Sequence, residues 1–224
     1  MGKRKIKTCA YCGEIKRCGK DHIPPRSIFD PVDPGDLITV PCCEECRETQ
    51  PKDDEFFRFF IHSGTYERET SGSDPVFGSI YRSIQKPAAK GLRERVLRSI
   101  GEREVVTEGG LYIGKIPTVT GDGIQIRSVG SRIVKGLFYH ENKKPLPPNY
   151  AVHIKFIQTV IEPGLLEIIK GLEFKPFEET GHGKFRFTHA IMDNDEFSTF
   201  WVMVFSEGLI MLGWTGDPTT RKKK

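Results

Sequence analysis

No stretch of this chain is long and apolar enough to cross a bilayer. The longest uninterrupted apolar run, Phe200 to Phe205, is six residues, against the ~20 that a spanning helix requires. The opening Met1-Gly2-Lys3-Arg4-Lys5-Ile6-Lys7 lacks the apolar stretch of a secretory signal, so the expected compartment is the cytoplasm. There is no phosphate-binding glycine loop, no Ser/His/Asp motif and no internal repeat, which argues against the P-loop, triad-hydrolase and solenoid classes. Charge of one sign is also scarce: 34 Lys and Arg against 30 Asp and Glu leave a net charge of only +4. The whole molecule is therefore mildly basic rather than strongly cationic.

The distribution of that charge is more informative than its sum. Seven of the first twenty residues are Lys or Arg against one acid, Glu14, and the chain ends Arg221-Lys222-Lys223-Lys224. Such clusters suit phosphate contacts, and for the tail alone a solvated end serves equally well. At 224 residues, 37% hydrophobic and 29% charged, the chain can build one large domain or two modest ones with real cores.

Two CxxC pairs, Cys9-Ala10-Tyr11-Cys12 and Cys43-Glu44-Glu45-Cys46, bracket an Asp21-His22-Ile23-Pro24-Pro25 run. Each CxxC turn sets two sulfurs on one side of an ion, and two such turns complete the tetrahedral set that zinc prefers. About thirty residues separate Cys12 from Cys43, enough for the chain to run out and return. A redox CxxC normally comes singly beside a βαβ pattern, and paired disulfides need an oxidising compartment. The spacing therefore predicts a structural Zn²⁺ held by Cys9, Cys12, Cys43 and Cys46. Cys42 could replace Cys43 through a CxxxC spacing, and Cys18 reads as a spare thiol.

Along the chain three stretches follow. Residues 1–65 read as the metal module, with Leu37 to Val40 as a short strand, a helix opening at Cys46, and a second apolar helical face from Phe56 to Ile61 introduced by Asp53-Asp54-Glu55. Those phenylalanines read as core rather than as stacking platforms. Residues 66–104 read as a linker and an amphipathic helix with Ala88, Leu92, Val96 and Ile100 at i, i+4 steps. Residues 105–224 change period. Leu111 to Ile116 and Ile124 to Val129 flank Gly121-Asp122-Gly123 as an expected hairpin, with Pro117 keeping the first strand short or at an edge. A helix on Val129, Ile133 and Leu137, alternating strands at Tyr150 to Phe156 and Phe185 to Ile191, and a final hairpin from Phe197 to Trp214 complete the reading. The expected class is α+β: a zinc-bound module, a helical connection, then an antiparallel sheet with packed helices. His140, His153, His182 and His189 are scattered and read as surface or packing residues.

The run Cys9 to Gly13, then Asp21-His22-Ile23-Pro24-Pro25-Arg26-Ser27, then Leu37-Ile38-Thr39-Val40-Pro41-Cys42-Cys43-Glu44-Glu45-Cys46, resembles the HNH or ββα-metal endonucleases with a zinc-stabilised treble-clef core. The match covers about the first quarter of the chain. The resemblance implies a metal-dependent endonuclease that hydrolyses DNA phosphodiester bonds. Asp21 would ligate a catalytic Mg²⁺ or Mn²⁺, His22 would be the general base, and Asp36 stands where the family has its central asparagine. Arg26, Arg47 and Lys52 are the candidate nucleic-acid contacts. The residue after the last CxxC, commonly a metal-ligating Asn or His in the family, is here Arg47, which cannot ligate a cation. Asp53 or Asp54 would then supply the missing oxygen, Asp53 being the ligand chosen. The competing expectation is a module that keeps the fold and binds nucleic acid or a protein partner without cutting. A homodimer is compatible with the sequence, and no membrane association is expected.

Overall fold

The structure, a computed structural model, describes residues 5–29, 32–48, 50–65, 75–107, 109–119, 123–157, 162–205 and 208–217. It is a mixed α+β fold with antiparallel sheets and six α-helices among these residues. No helix among them is long and apolar enough to cross a membrane.

The N-terminal sheet has three strands in the order β1 (Lys5–Thr8), β2 (Ile15–Ile23), β3 (Ile38–Cys43), all antiparallel. A single 3-10 turn at Arg26–Phe29 buries Ile28 and Phe29 between β2 and β3. Helix α1 (Glu44–Glu48) starts directly at the second CxxC, and α2 (Pro51–Thr65) follows with Asp53 and Asp54 in its first turn. Acids there complement the helix dipole. In α2, Phe56, Phe57, Phe59, Phe60 and Ile61 are all buried.

Helices α3 (Pro75–Gln85) and α4 (Lys90–Ser99) lead into a two-stranded ribbon, β4 (Ile100–Val106) and β5 (Tyr112–Val119). This ribbon corrects one expectation. Residues 124–129 are not a strand opposite 111–116; they belong to α5 (Gly123–Asn142), and β5 pairs with β4 instead. The alternation at Ile124 and Ile126 is too short to separate the two periods. Ile126 is buried on the Val129, Ile133, Leu137 stripe, whereas Ile124 is exposed, as a helix requires. Pro117 sits in the ribbon, where each strand has a free edge. Gly121 and Asp122 lie outside the described residues.

The larger sheet runs β6 (Ala151–Ile157), β10 (Leu209–Gly216), β9 (Asp195–Phe205), β8 (Phe185–Met192), β7 (Glu178–Thr180), with every neighbour antiparallel. Helix α6 (Pro163–Lys170) lies in the β6–β7 connection. One face carries Trp201, Met203, Phe205 and Met211, all buried, and α5 and α2 pack there. The α2 rings reach this sheet directly: Phe57 lies 5.8 Å from Phe205 and Phe60 lies 5.0 Å from Phe156, both edge to face. A single apolar cluster joins Ile23 and Val40 of the small sheet to Phe138 of α5 and Phe185 of β8.

The small sheet docks on α5 at close range. A Cβ added to Gly136 would lie 2.4 Å from Cδ1 of the fully buried Ile23. Replacing an exposed helical glycine by alanine gains ~1 kcal/mol, whereas overpacking costs ~1–3 kcal/mol. Gly136→Ala is therefore expected to destabilise. Combined with Ile23→Ala, it fills the space the shorter side chain vacates, so the double variant is expected to be at least ~1 kcal/mol more stable than the sum of the singles, as read by urea denaturation.

His189 of β8 stacks on Trp201 with ring centroids 4.4 Å apart. Burial, with Lys175 adding and Glu141 opposing, lowers its pKa to about 4. A lowered histidine is neutral in the fold but protonates in the unfolded chain near pH ~6.5. Its contribution is intact above that pH and falls away as the pH drops towards 4. Between pH 7 and 5 the loss is expected to reach ~2 kcal/mol, with a flatter profile in His189→Phe.

Candidate metal centre and adjoining carboxylates

The first CxxC forms the turn between β1 and β2. Cys9 donates its N–H to Glu14 at 2.9 Å, Gly13 donates to the Cys9 carbonyl at 3.0 Å, and Ala10 donates to the Pro41 carbonyl at 2.9 Å, tying the turn to β3. The second CxxC spans the end of β3 and the start of α1. The sulfurs of Cys9, Cys12, Cys43 and Cys46 all lie within 4.8 Å of one another. The Cys12 and Cys43 sulfurs are 3.8 Å apart. That is the edge of a tetrahedron with Zn–S bonds of ~2.3 Å, and far beyond the ~2.05 Å of a disulfide. The donor chemistry and spacing thus fit a metal ion such as zinc.

The Cys9 thiol has its pKa lowered, above all by the Cys42 thiol, with the N–H groups of Cys12, Cys43 and Tyr11 adding to the effect and burial opposing it. The Cys43 N–H itself lies 3.4 Å from the Cys9 sulfur. Cys42 is outside the four-sulfur set, so the set takes Cys43 and not the alternative CxxxC partner. The Cys42 thiol points to the Cys43 carbonyl at 3.3 Å and receives the Gln50 amide at 3.8 Å. Cys18, the spare thiol, donates to the Lys7 carbonyl at 3.4 Å.

Asp21 and His22 sit at the end of β2, paired with Val40 and Thr39 of β3. Adjacent residues on a strand point to opposite faces. Asp21 accepts from the Tyr11 hydroxyl at 2.6 Å; burial first, then the charge and hydrogen bond of Asp21, drive the Tyr11 pKa well up. His22 has its Nδ1 buried without a hydrogen-bond partner among the described residues. Burial lowers its pKa, Asp21 opposes, and Arg26, Lys20 and Arg47 each lower it further. Arg47 folds back over β2, donating from Nη2 to the Lys20 carbonyl at 2.9 Å. Glycine at position 19 is what admits this: a Cβ there would lie 2.8 Å from the same Nη2.

The remaining candidates are distributed. Asp54, not Asp53, carries the cross-chain contact: its Oδ1 accepts from Nη2 of Arg132 on α5 in a short ion pair. Its pKa is nevertheless raised to about 6, by burial first, with Arg132 opposing and Asp21 and Asp53 adding to the rise. Asp53 is half-buried in the same turn and Lys52 is exposed. Arg26 is exposed and lies 3.4 Å from Asp33. Asp36 faces the larger sheet: its carbonyl accepts from the Thr180 hydroxyl and its Oδ1 from the Gly181 N–H at 3.2 Å.

Among the described residues no set of three metal-type side chains includes Asp21, His22, Asp53 or Asp54. The other converging set, His140, Glu141 and Glu178, lies elsewhere, with Lys175 on Glu141 at 3.0 Å. Mg²⁺ commonly takes one or two protein carboxylates and completes its shell with water and phosphate oxygen. The Asp54 carboxylate carries the Arg132 guanidinium, and the Asp21 carboxylate accepts from the Tyr11 hydroxyl.

The class so defined is a mixed α+β chain with a four-cysteine set able to hold a metal ion such as zinc. Comparison with protein-family models, curated proteins and solved structures returns no match. Sequence reading finds the cysteines through their spacing but misses Tyr11 and Arg132 as site residues. Nothing local points to Arg132, which lies 78 positions from Asp54.

Metal content checks the set. Cys43→Ser is expected to lose the bound ion while Cys42→Ser retains it, as read by elemental analysis after purification. Chelation of the wild type is expected to unfold β1–β3, since structural zinc contributes on the order of 10 kcal/mol to small modules.

Proposed function

We propose that this chain is an HNH-type endonuclease of the cytoplasm that hydrolyses phosphodiester bonds in DNA, with a zinc-bound treble-clef module positioning His22 as the general base. The observation that carries the reading is the setting of His22. Its imidazole is only partly withdrawn from solvent, and its charged surroundings are the carboxylate of Asp21 and the three cations Arg26, Lys20 and Arg47. Three cations around one imidazole suit an anionic substrate whose attacking water must lose a proton.

The chemistry follows from those groups. Lys20, Arg26 and Arg47 attract the DNA backbone, and Arg47 can donate from its fork to two phosphate oxygens at once. Water attacks phosphorus as His22 accepts its proton; the P–O3′ bond breaks, its electron pair stays on O3′, and solvent returns a proton there. Mg²⁺ or Mn²⁺, when bound, supplies positive charge beside the phosphate, and Asp21 and Asp54 are the side chains that would hold it. Tyr11 orients Asp21 through its hydroxyl. Asp36, tied to Thr180 and Gly181, fixes the loop before β3.

A second reading has its own observation. The Asp54–Arg132 pair occupies one of the two carboxylates, which favours a module that binds nucleic acid without cutting. Supercoiled plasmid with Mg²⁺ or Mn²⁺ separates the two. The wild type is expected to nick or linearise it, with His22→Ala slower by a factor on the order of 10² or more at unchanged zinc content. Plasmid binding without cutting at any concentration of either ion would replace the first reading by the second.

A further inference from the structure

Three side chains suited to a metal converge outside the cysteine set. His140 and Glu141 lie in the last turn of α5, and Glu178 opens the edge strand β7. One ligand atom from each lies within 4.8 Å of the other two. The turn that carries the first pair is held in shape at its end, where Lys143, at φ 55°, donates its N–H to the Tyr139 carbonyl at 2.8 Å. A helix C-terminus is the negative end of the macrodipole and favours a cation beside it.

Two of the three donors are unengaged: neither the His140 imidazole nor the Glu178 carboxylate has a hydrogen bond or ion pair with any described residue. The third, Glu141, is only 14% exposed and accepts from Lys175 at 3.0 Å, a lysine that is itself 54% exposed. The position thus already draws positive charge, and the group that supplies it is a solvated side chain. Lys175 also lines a cavity of about 460 Å³ with Glu173, His189, Asn194 and Glu196. His189 is 4% exposed, and its ring stacks on Trp201 but makes no hydrogen bond among the described residues. Glu178 stands directly opposite Phe187, and Phe187 and His189 are two apart on β8. Opposite residues share a face of a sheet, as do residues two apart, so Glu178 and His189 lie on one face. The Lys175 N–H donates to the His189 carbonyl at 3.0 Å, so the cavity and the three donors meet at this lysine.

We propose that His140, Glu141 and Glu178 bind a divalent transition-metal ion such as Zn²⁺, which clamps the end of α5 to β7 at the side of this cavity. The imidazole decides the class of ion: it suits zinc and its neighbours, whereas Mg²⁺ and Ca²⁺ favour all-oxygen shells. One imidazole and two carboxylates fill three positions of a tetrahedral ion and leave the fourth to water. Lys175, more than half in solvent, is free to release the Glu141 oxygen to the ion. This inference does not depend on the nuclease reading.

The test uses Zn²⁺ as the probe, with the full chain dialysed against it in excess Mg²⁺ and the bound zinc counted by elemental analysis. The wild type is expected to take up a zinc ion beyond the one held by the cysteines. His140→Ala and Glu178→Gln are each expected to bind that further ion roughly tenfold or more weakly, since loss of a group that merely supports a ligand already costs ~10- to 100-fold. His140 is half-buried and Glu178 exposed, so both variants are expected to keep the fold, as checked by circular dichroism and by retention of the cysteine-held ion. Lys175→Met removes the competing ammonium and is expected to bind the further ion more tightly. Asp21→Asn and His22→Ala are expected to leave it unchanged. No zinc beyond the cysteine-held ion in the wild type overturns the proposal, as does wild-type affinity in either His140→Ala or Glu178→Gln. Loss of the further ion in Asp21→Asn also overturns it, by assigning that ion to the Asp21–His22 site.

Discussion

A three-stranded sheet with an exposed outer strand cannot be held by burial, and this constraint organises the N-terminal module. Along β1 only Thr8 is partly withdrawn from solvent, and Ile6 and Ile15 of the β1–β2 hairpin are about three-quarters exposed. The convergence of Cys9, Cys12, Cys43 and Cys46 offers a substitute for burial at that edge, because an ion such as zinc held there would fix two chain segments at once. The backbone has been shaped to suit. The N–H groups of Cys12, Cys43 and Tyr11 stabilise negative charge on Cys9, and the Ala10 bond to Pro41 holds the two knuckles at one separation. With that separation set, the end of β2 falls beside Tyr11, and Asp21 acquires its hydroxyl partner.

The other face of the module is held quite differently, by apolar packing on α5. Ile23 fits against the bare backbone at Gly136, and Ile28 and Phe29 enter the same cluster as Val134 and Phe138. The helix in turn lies on the larger sheet beside α2, so the cysteine set and the sheet are braced by one element. Asp36 adds a polar tie from the loop before β3 to the β7–β8 turn. The arrangement explains why the C-terminal half can reach Asp54 at all. Arg132 lies between Ser131 and the buried Ile133 on a helix whose inner face is committed to packing, and it carries a guanidinium from α5 to Asp54 of α2.

Legibility in the sequence follows the range of the interaction. The paired CxxC motifs are readable because a knuckle is a local turn and its two cysteines are three apart. The helical faces of α2 and α4 and the alternation in β6 and β8 are readable for the same reason, period being local. The choice of Cys43 over Cys42 is not, since both spacings reach an ion and only the pairing of β3 with β2 decides which sulfur turns inward. The start of α5 is misread because a short alternation at Ile124 and Ile126 fits a strand until tertiary packing shows which of the two is buried. Sequence distance suits Asp53 and Asp54 equally, and that Asp54 is the one reaching Arg132 depends on which side of a helical turn faces α5. The tie of Asp36 to residues 180 and 181 and the contact of Arg132 with Asp54 cross more than a third of the chain, so no window of the sequence contains them.

The Asp54–Arg132 pair is not accounted for by stability. Withdrawing two charges from water costs several kcal/mol per ion, and apolar replacements of similar volume are often neutral or better. The core that α2 and α5 share has apolar material in plenty, from Phe56, Phe57 and Phe60 to Val129 and Ile133. Moreover, the pair is poorly optimised as a structural bridge: Arg132 leaves a buried N–H without a partner, and Asp54 is pushed up to about 6 despite a guanidinium against it. A structural salt bridge would be expected to satisfy both partners.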